Sequence, residues 1–230
     1  MNLRLVWILP VFLGACATTS NMTLPATPAD VMISPRYDQT QISKVAILPM
    51  LARRPVETDL SIMNGAQPVP TPQDHIFVDQ IGQTLPSGVQ KTMPGWKVIP
   101  PDESMSLINT HNLAMGYKNL MADFNTIPGP QNVLAVISPD SQAFLKEFQR
   151  ISGADAVLVG YYCFSAIVQA RTFEIVNIQG VNFWLSLYNP TVGQVWWKSS
   201  VSRYGAGEHD LDEIIQSLTS AIGKGRITQL

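Results

Sequence analysis

The sequence predicts an α/β (α+β) domain: a mixed β-sheet flanked by helices, with a C-terminal antiparallel meander and a final amphipathic helix. Three observations carry this. Residues 154–164 read Ala-Asp-Ala-Val-Leu-Val-Gly-Tyr-Tyr-Cys-Phe, a near-continuous apolar run of strand length, as a strand covered on both faces requires. Before it, apolar residues recur at helical spacing behind Thr-Pro, Pro-Asp and Pro-Asp-Ser starts. After it come strand-like runs and then the cleanest amphipathic stretch of the chain, residues 210–223.

The chain has 230 residues, enough for one domain and an anchor. An apolar content of 46% can supply a core, and a charged fraction of 14% argues against disorder. Fifteen basic residues against seventeen acidic ones, with no basic run, leave no electrostatic footprint for nucleic acid.

Residues 1–15 read as a signal peptide. Arg4 supplies the positive start, and residues 5–13 form an apolar stretch too short to cross a bilayer. Leu13-Gly14-Ala15-Cys16 follows, small residues directly before a thiol. This resembles a bacterial lipobox, in which Cys16 is acylated and becomes the new N-terminus. Several acyl chains, at about 0.8 kcal/mol per buried methylene, would hold the protein firmly in a membrane. By resemblance to bacterial lipoproteins, Ala17 rather than Asp after the cysteine implies the outer membrane, with the domain facing the periplasm. With Cys16 used by lipid, Cys163 has no second thiol to pair with, and a strand flanked by Tyr162 and Phe164 suits a buried structural cysteine.

Residues 16–41 are expected to be a lipidated flexible tether, and residues 42–230 a single periplasmic domain. The Thr-, Ser-, Pro- and Ala-rich composition of residues 17–37 carries the tether reading. Lys44-Val45-Ala46-Ile47-Leu48-Pro49 is a short strand stopped by proline. Residues 53–70 read as a long loop. Thr71-Pro72-Gln73-Asp74 starts a helix with Phe77, Ile81, Leu85 and Val89 on one face, which Pro86 should kink or break. Residues 96–99 form a second short strand. A helix opening at Pro100-Pro101-Asp102-Glu103, a piece over residues 117–124, and a helix from Pro139 buried through Phe144, Leu145, Phe148 and Ile151 follow, the last capped by Gly153. Residues 127–139 form a proline-rich interruption.

Residues 173–178, 181–188 and 194–204 read as strands, with residues 189–193 turning between the last two. Phe183, Leu185 and Leu187 alternate with Trp184, Ser186 and Tyr188, which gives one apolar face and one mixed, aromatic face. In the final helix, Leu211, Ile214, Ile215, Leu218 and Ile222 make one stripe suited to packing on the sheet.

No catalytic pattern is present. His75, His111 and His209 are scattered, with no spaced ligand pair for a metal. Nucleophile elbow, phosphate loop and Cys-x-x-Cys are all missing. Asp102-Glu103 and Asp212-Glu213 lie where they favour helix N-termini. Trp196-Trp197 would place its rings on opposite sheet faces, so that at most one is free for a ligand. The expectation is no enzyme, no cofactor and no metal.

The order of the strand Lys44-Val45-Ala46-Ile47-Leu48-Pro49, the step Gly153-Ala154-Asp155 into the apolar strand, and the return Gly193-Gln194-Val195-Trp196-Trp197 resembles a periplasmic α/β lipoprotein group. That group includes the amino-terminal domain of TolB, curli-secretion CsgG, the penicillin-binding-protein activator LpoB and the exopolysaccharide component PelC. The resemblance spans about residues 42–223. It implies a mixed sheet between helices, in proteins that assemble or regulate envelope machines rather than catalyse. It does not extend to pore formation, because no pair of long alternating insertions suits a transmembrane barrel. The expected function is a non-enzymatic assembly or adaptor component of an envelope or secretion machine. Its expected partners are membrane lipid through Cys16, and a homo-oligomer or an envelope protein. The alternative is a tethered regulator that activates a periplasmic cell-wall enzyme.

Overall fold

A computed structural model of the chain describes residues 30–34, 36–52, 70–126, 137–170, 175–191, 194–204, 211–220 and 222–223. Its centre is a long strand, β5 (Ala156–Ala170), which starts inside the expected run 154–164 and continues past its end. On one side β5 pairs in parallel with β2 (Lys44–Ile47) and with the two-residue β3 (Leu51–Ala52). On the other it pairs antiparallel with β6 (Ile175–Asn189), which pairs antiparallel with β7 (Gln194–Tyr204). β1 (Asp30–Ile33) lies on the outer side of β7, and β4 (Lys97–Ile99) lies parallel to β2 at the opposite edge. The sheet is therefore mixed, in the order β1-β7-β6-β5-β2-β4.

Alternation along β5 sorts its side chains between two cores. Ala156 and Leu158 join one cluster; Val157, Val159, Tyr161 and Cys163 join the other. The first face lies under α1 (Pro72–Thr92) and α5 (Leu211–Thr219), through Ile81, Leu85, Ile214 and Leu218 among others. The second lies under α2 (Pro101–Thr110), α3 (Ala114–Thr126) and α4 (Pro139–Ser152), through Ile108, Leu120, Phe124 and Phe148. Each such side chain contributes about 1.5–3 kcal/mol on burial. On this second face Tyr161 is stacked between two rings, Phe124 at 5.0 Å and Trp184 at 4.9 Å, which holds α3 against the sheet.

The entry to β5 is tied by polar groups. α4 ends at Gly153, whose φ of 63° is the left-handed conformation that glycine adopts without a Cβ clash. Two residues on, one oxygen of the Asp155 carboxylate accepts from the backbone N–H of Ser43 at 2.8 Å, the Ser43 hydroxyl at 2.9 Å and the backbone N–H of Lys44 at 2.9 Å. The Asp155 N–H donates back to the Lys44 carbonyl, and the Lys44 ammonium donates to the Ser152 carbonyl at 2.6 Å. The start of β2 is thus fixed to the start of β5 and to the last turn of α4.

Several sequence expectations are corrected. The ordered chain starts before residue 42: Asp30–Ile33 is a sheet strand, and Tyr37 is 3% exposed, with its hydroxyl donating to the Ile222 carbonyl. The tether reading is left with residues 16–29, outside the described residues, as are the expected signal peptide and Cys16. Pro86 does not break α1, which runs through it. Leu85 and Val89, on either side of Pro86, are both buried, so packing outweighs the lost hydrogen bond. Val78 rather than Phe77 is fully buried on that helix, and Ile151 is only half-buried on α4. The two expected strands 173–178 and 181–188 are, over the described residues 175–189, one strand, because Gly180 keeps its place in the ladder opposite Ser165 and Tyr204. The α5 helix spans Leu211–Thr219, shorter than expected, while Ile222 still reaches the core. Residues 53–69 and 127–136, most of the two expected loops, lie outside the described residues.

Candidate interaction surface

The residues singled out for chemistry do not converge. His75 lies near the start of α1 and His111 caps the end of α2, both exposed; His209 is outside the described residues. Asp102-Glu103 and Asp212-Glu213 sit in the first turns of α2 and α5, where they complement the helix dipoles. Cys163 is 4% exposed, its Sγ 3.2 Å from the Phe164 carbonyl, a buried thiol rather than an available nucleophile. Trp196 stands at a bulge: Leu187 pairs with Trp197 and Tyr188 with Val195, leaving Trp196 with no residue opposite. Among the described residues, no group of three His, Cys, Asp or Glu is placed to hold a metal ion. No described helix is long and apolar enough to cross a membrane.

Asp155 is the acid whose local environment is most specific. Burial opposes its charge, but the donors of Ser43 and Lys44 outweigh that and hold its carboxyl below the ordinary carboxylate range. All those donors belong to the β2–β5 junction, so the carboxylate serves the fold.

What remains is a surface where β5 leaves the body of the sheet beside the start of α1. The helix opens with a full capping box. The Thr71 hydroxyl accepts from the Asp74 N–H, while the Asp74 carboxylate accepts from the Thr71 N–H at 2.7 Å. This fixes the first turn, and with it a run of apolar and aromatic residues. The His75 ring meets Phe164 edge-on at 5.0 Å, Phe164 meets Tyr162 edge-on at 5.5 Å, and Phe77 meets Phe183 edge-on at 6.0 Å. Ile76, between His75 and Phe77, is 50% exposed. Burial, and then the nearby charge of Asp79, push the Tyr162 phenol up, so it stays neutral at ordinary pH. Phe77, Tyr162 and Phe164 are half-buried. Such a surface offers apolar and edge-to-face ring contacts, the chemistry of association. Sequence reasoning missed it because His75 and Phe164 are far apart in the chain and meet only through tertiary packing. The one available signal was that three of the last four residues of the apolar run, Tyr161, Tyr162 and Phe164, are aromatic.

No protein-family model matches the chain, and no curated protein matches it. Among solved structures it is similar to the PelC dodecamer from Paraburkholderia phytofirmans, at 16% identity and a TM-score of 0.35, covering 87% of this chain and 94% of that one. It is similar to lipoprotein GNA1162 from Neisseria meningitidis, at 14% identity and a TM-score of 0.38, covering 80% and 99%. It is similar to the LpoB C-terminal domain from Escherichia coli, at 11% identity and a TM-score of 0.34, covering 72% and 83%.

Proposed function

We propose that this chain is an outer-membrane lipoprotein, acylated at Cys16, whose periplasmic domain is a self-associating assembly or adaptor component of an envelope or secretion machine. The observation that carries the reading is Leu13-Gly14-Ala15-Cys16 at the end of the apolar stretch 5–13, which supplies the anchor. The aromatic and apolar surface around His75, Ile76 and Phe164 supplies a place for a protein partner.

The length of chain before β1 favours this over a regulator that reaches far from the membrane. A tether over residues 17–29 spans at most about 45 Å, at roughly 3.3–3.6 Å per residue. The longer tether read from sequence alone would reach about 60–70 Å. An adaptor held close to its membrane fits the shorter reach.

The test is membrane fractionation of wild type and Cys16→Ser, followed by mass measurement of the detergent-extracted protein. The reading expects wild type to resist a high-salt wash and to run as a multiple of the processed, acylated chain's mass, while Cys16→Ser accumulates unprocessed or off the membrane. A Cys16→Ser protein that stays in the outer-membrane fraction through the wash would overturn the anchor.

A further inference from the structure

The β5–β6 ribbon outruns the sheet that carries it. On its β2 side, the last described partner of β5 is Ala52, opposite Tyr162. On the far side of β6, β7 ends at Tyr204, opposite Gly180. Beyond these points the two strands pair, among the described residues, only with each other, from Ser165 opposite Gly180 to Ala170 opposite Ile175. A two-stranded ribbon is marginal in water, and lasting sheets add a third strand or a helix.

Its sequence removes the usual protections. Residues 165–170 read Ser-Ala-Ile-Val-Gln-Ala, and residues 175–180 read Ile-Val-Asn-Ile-Gln-Gly. Neither run contains a charge or a proline, and the register between them has no bulge. Natural edges are blunted by Lys, Pro, bulges or short length. The edges of the sheet body follow that rule, β1 having four residues and β4 three, with Lys97 exposed on β4. The ribbon does not.

We propose that the ribbon is the self-association element: residues 165–170 of β5 pair antiparallel with the same residues of a second copy about a two-fold axis, joining two ribbons into a four-stranded sheet. The proposal rests on the self-association read above and names its contact. A two-fold antiparallel pairing sets the residue on the axis, Ile167 or Val168, against its own copy and places the next ones diagonally across, so a charge there would meet a like charge. An uncharged strand escapes that penalty, and its edge N–H and C=O groups, which have no sheet partner on that side among the described residues, match by symmetry. A membrane is the poorer occupant, because a barrel strand needs about 9–11 residues to cross a bilayer and this stretch of β5 has six.

The test uses charge exchange in the full chain. Val168→Lys and Val168→Glu are expressed separately and together, extracted in detergent, and their protein mass is measured by light scattering. Wild type should run as an even multiple of the processed chain's mass, each variant alone at half the wild-type mass, and the co-expressed pair at the wild-type mass again. A monomeric wild type would overturn both the self-association and the ribbon's part in it. An assembled wild type with both variants at full mass would remove the ribbon and leave self-association standing. Variants that stay split when co-expressed would equally count against ribbon pairing with ribbon.

Discussion

The hydroxyl of Tyr37 donates to the carbonyl of Ile222 at 2.9 Å, joining residues 185 positions apart. The first buried aromatic of the described chain therefore closes the end of its last helical region. The Gln39 amide, turned so that its nitrogen faces them, reaches the Ile222 and Gly223 carbonyls at 3.3 Å. Tyr37→Phe should cost about 1–2 kcal/mol, a lost hydrogen bond in a buried place, read as a lower urea midpoint at unchanged slope.

The same phenol gives an alkaline signature. Burial, then the charge of Asp38, push Tyr37 well above its ordinary value, and burial pushes Tyr117 up to about 12. A raised tyrosine pKa stabilises the fold below the ordinary value near 10, and that stability is lost as pH rises from there toward the folded value. Phenolate absorbance should show tyrosine titration delayed beyond pH 10 until the fold opens. A single transition for all six tyrosines near pH 10 would contradict the burial of both.

Asp155 sets the acid side. Its depressed pKa contributes stability that is present above the unfolded carboxylate value, near about 3.9, and lost as pH falls through the lower folded value. Asp155→Asn should cost about 2 kcal/mol at pH 7 by removing a charged acceptor of three hydrogen bonds, and should lose less than wild type on going to pH 3. Urea midpoints at the two pH values test this.

Gly88 faces Ile215 where α1 crosses α5, and a Cβ at that position would overlap the Ile215 Cγ2. Gly88→Ala should therefore destabilise by about 1–3 kcal/mol, although alanine is the better helix former by about 1 kcal/mol. Ile215→Ala should cost less in the Gly88→Ala background than in wild type. Additive costs in that double-mutant cycle would mean that the two helices do not meet there.

Val159 is fully buried in the middle of β5. Val159→Asp should cost about 3–5 kcal/mol, an unpaired buried charge, against almost nothing for Gln73→Asp in the exposed first turn of α1. Equal urea midpoints for the two would show that β5 is not the centre of the fold.

Much of this architecture could be read before the coordinates because its signals are local. Gly153 ends a helical stripe and the apolar run 154–164 follows it directly, so α4, its cap and the position of β5 to within two residues at its start fall out in order. The misreadings share a cause, which is that the deciding partner is distant in sequence. β1 has four residues in a polar, proline-rich stretch, and only pairing with Lys198 and its neighbours makes it a strand. Pro86 breaks an isolated helix but survives when Leu85 and Val89 are held by a sheet. The apolar run reads as ending at Phe164 because residues 165–170 are mostly small or polar, and only the ladder with β6 extends the strand. The aromatic surface around His75 was invisible for the same reason.

The clasp of Tyr37 on Ile222 also sets a timetable. β1 pairs with β7, opposite residues 197–200, and Tyr37 waits for Ile222, so neither can settle until almost the whole chain is available. Contacts of such separation form late, because the loop they close must first be ordered. Pulse-labelled hydrogen exchange during refolding should find the amides of Asp30–Ile33 protected after those of β2 and β5. The first strand to leave the ribosome, among the described residues, is thus among the last to find its place.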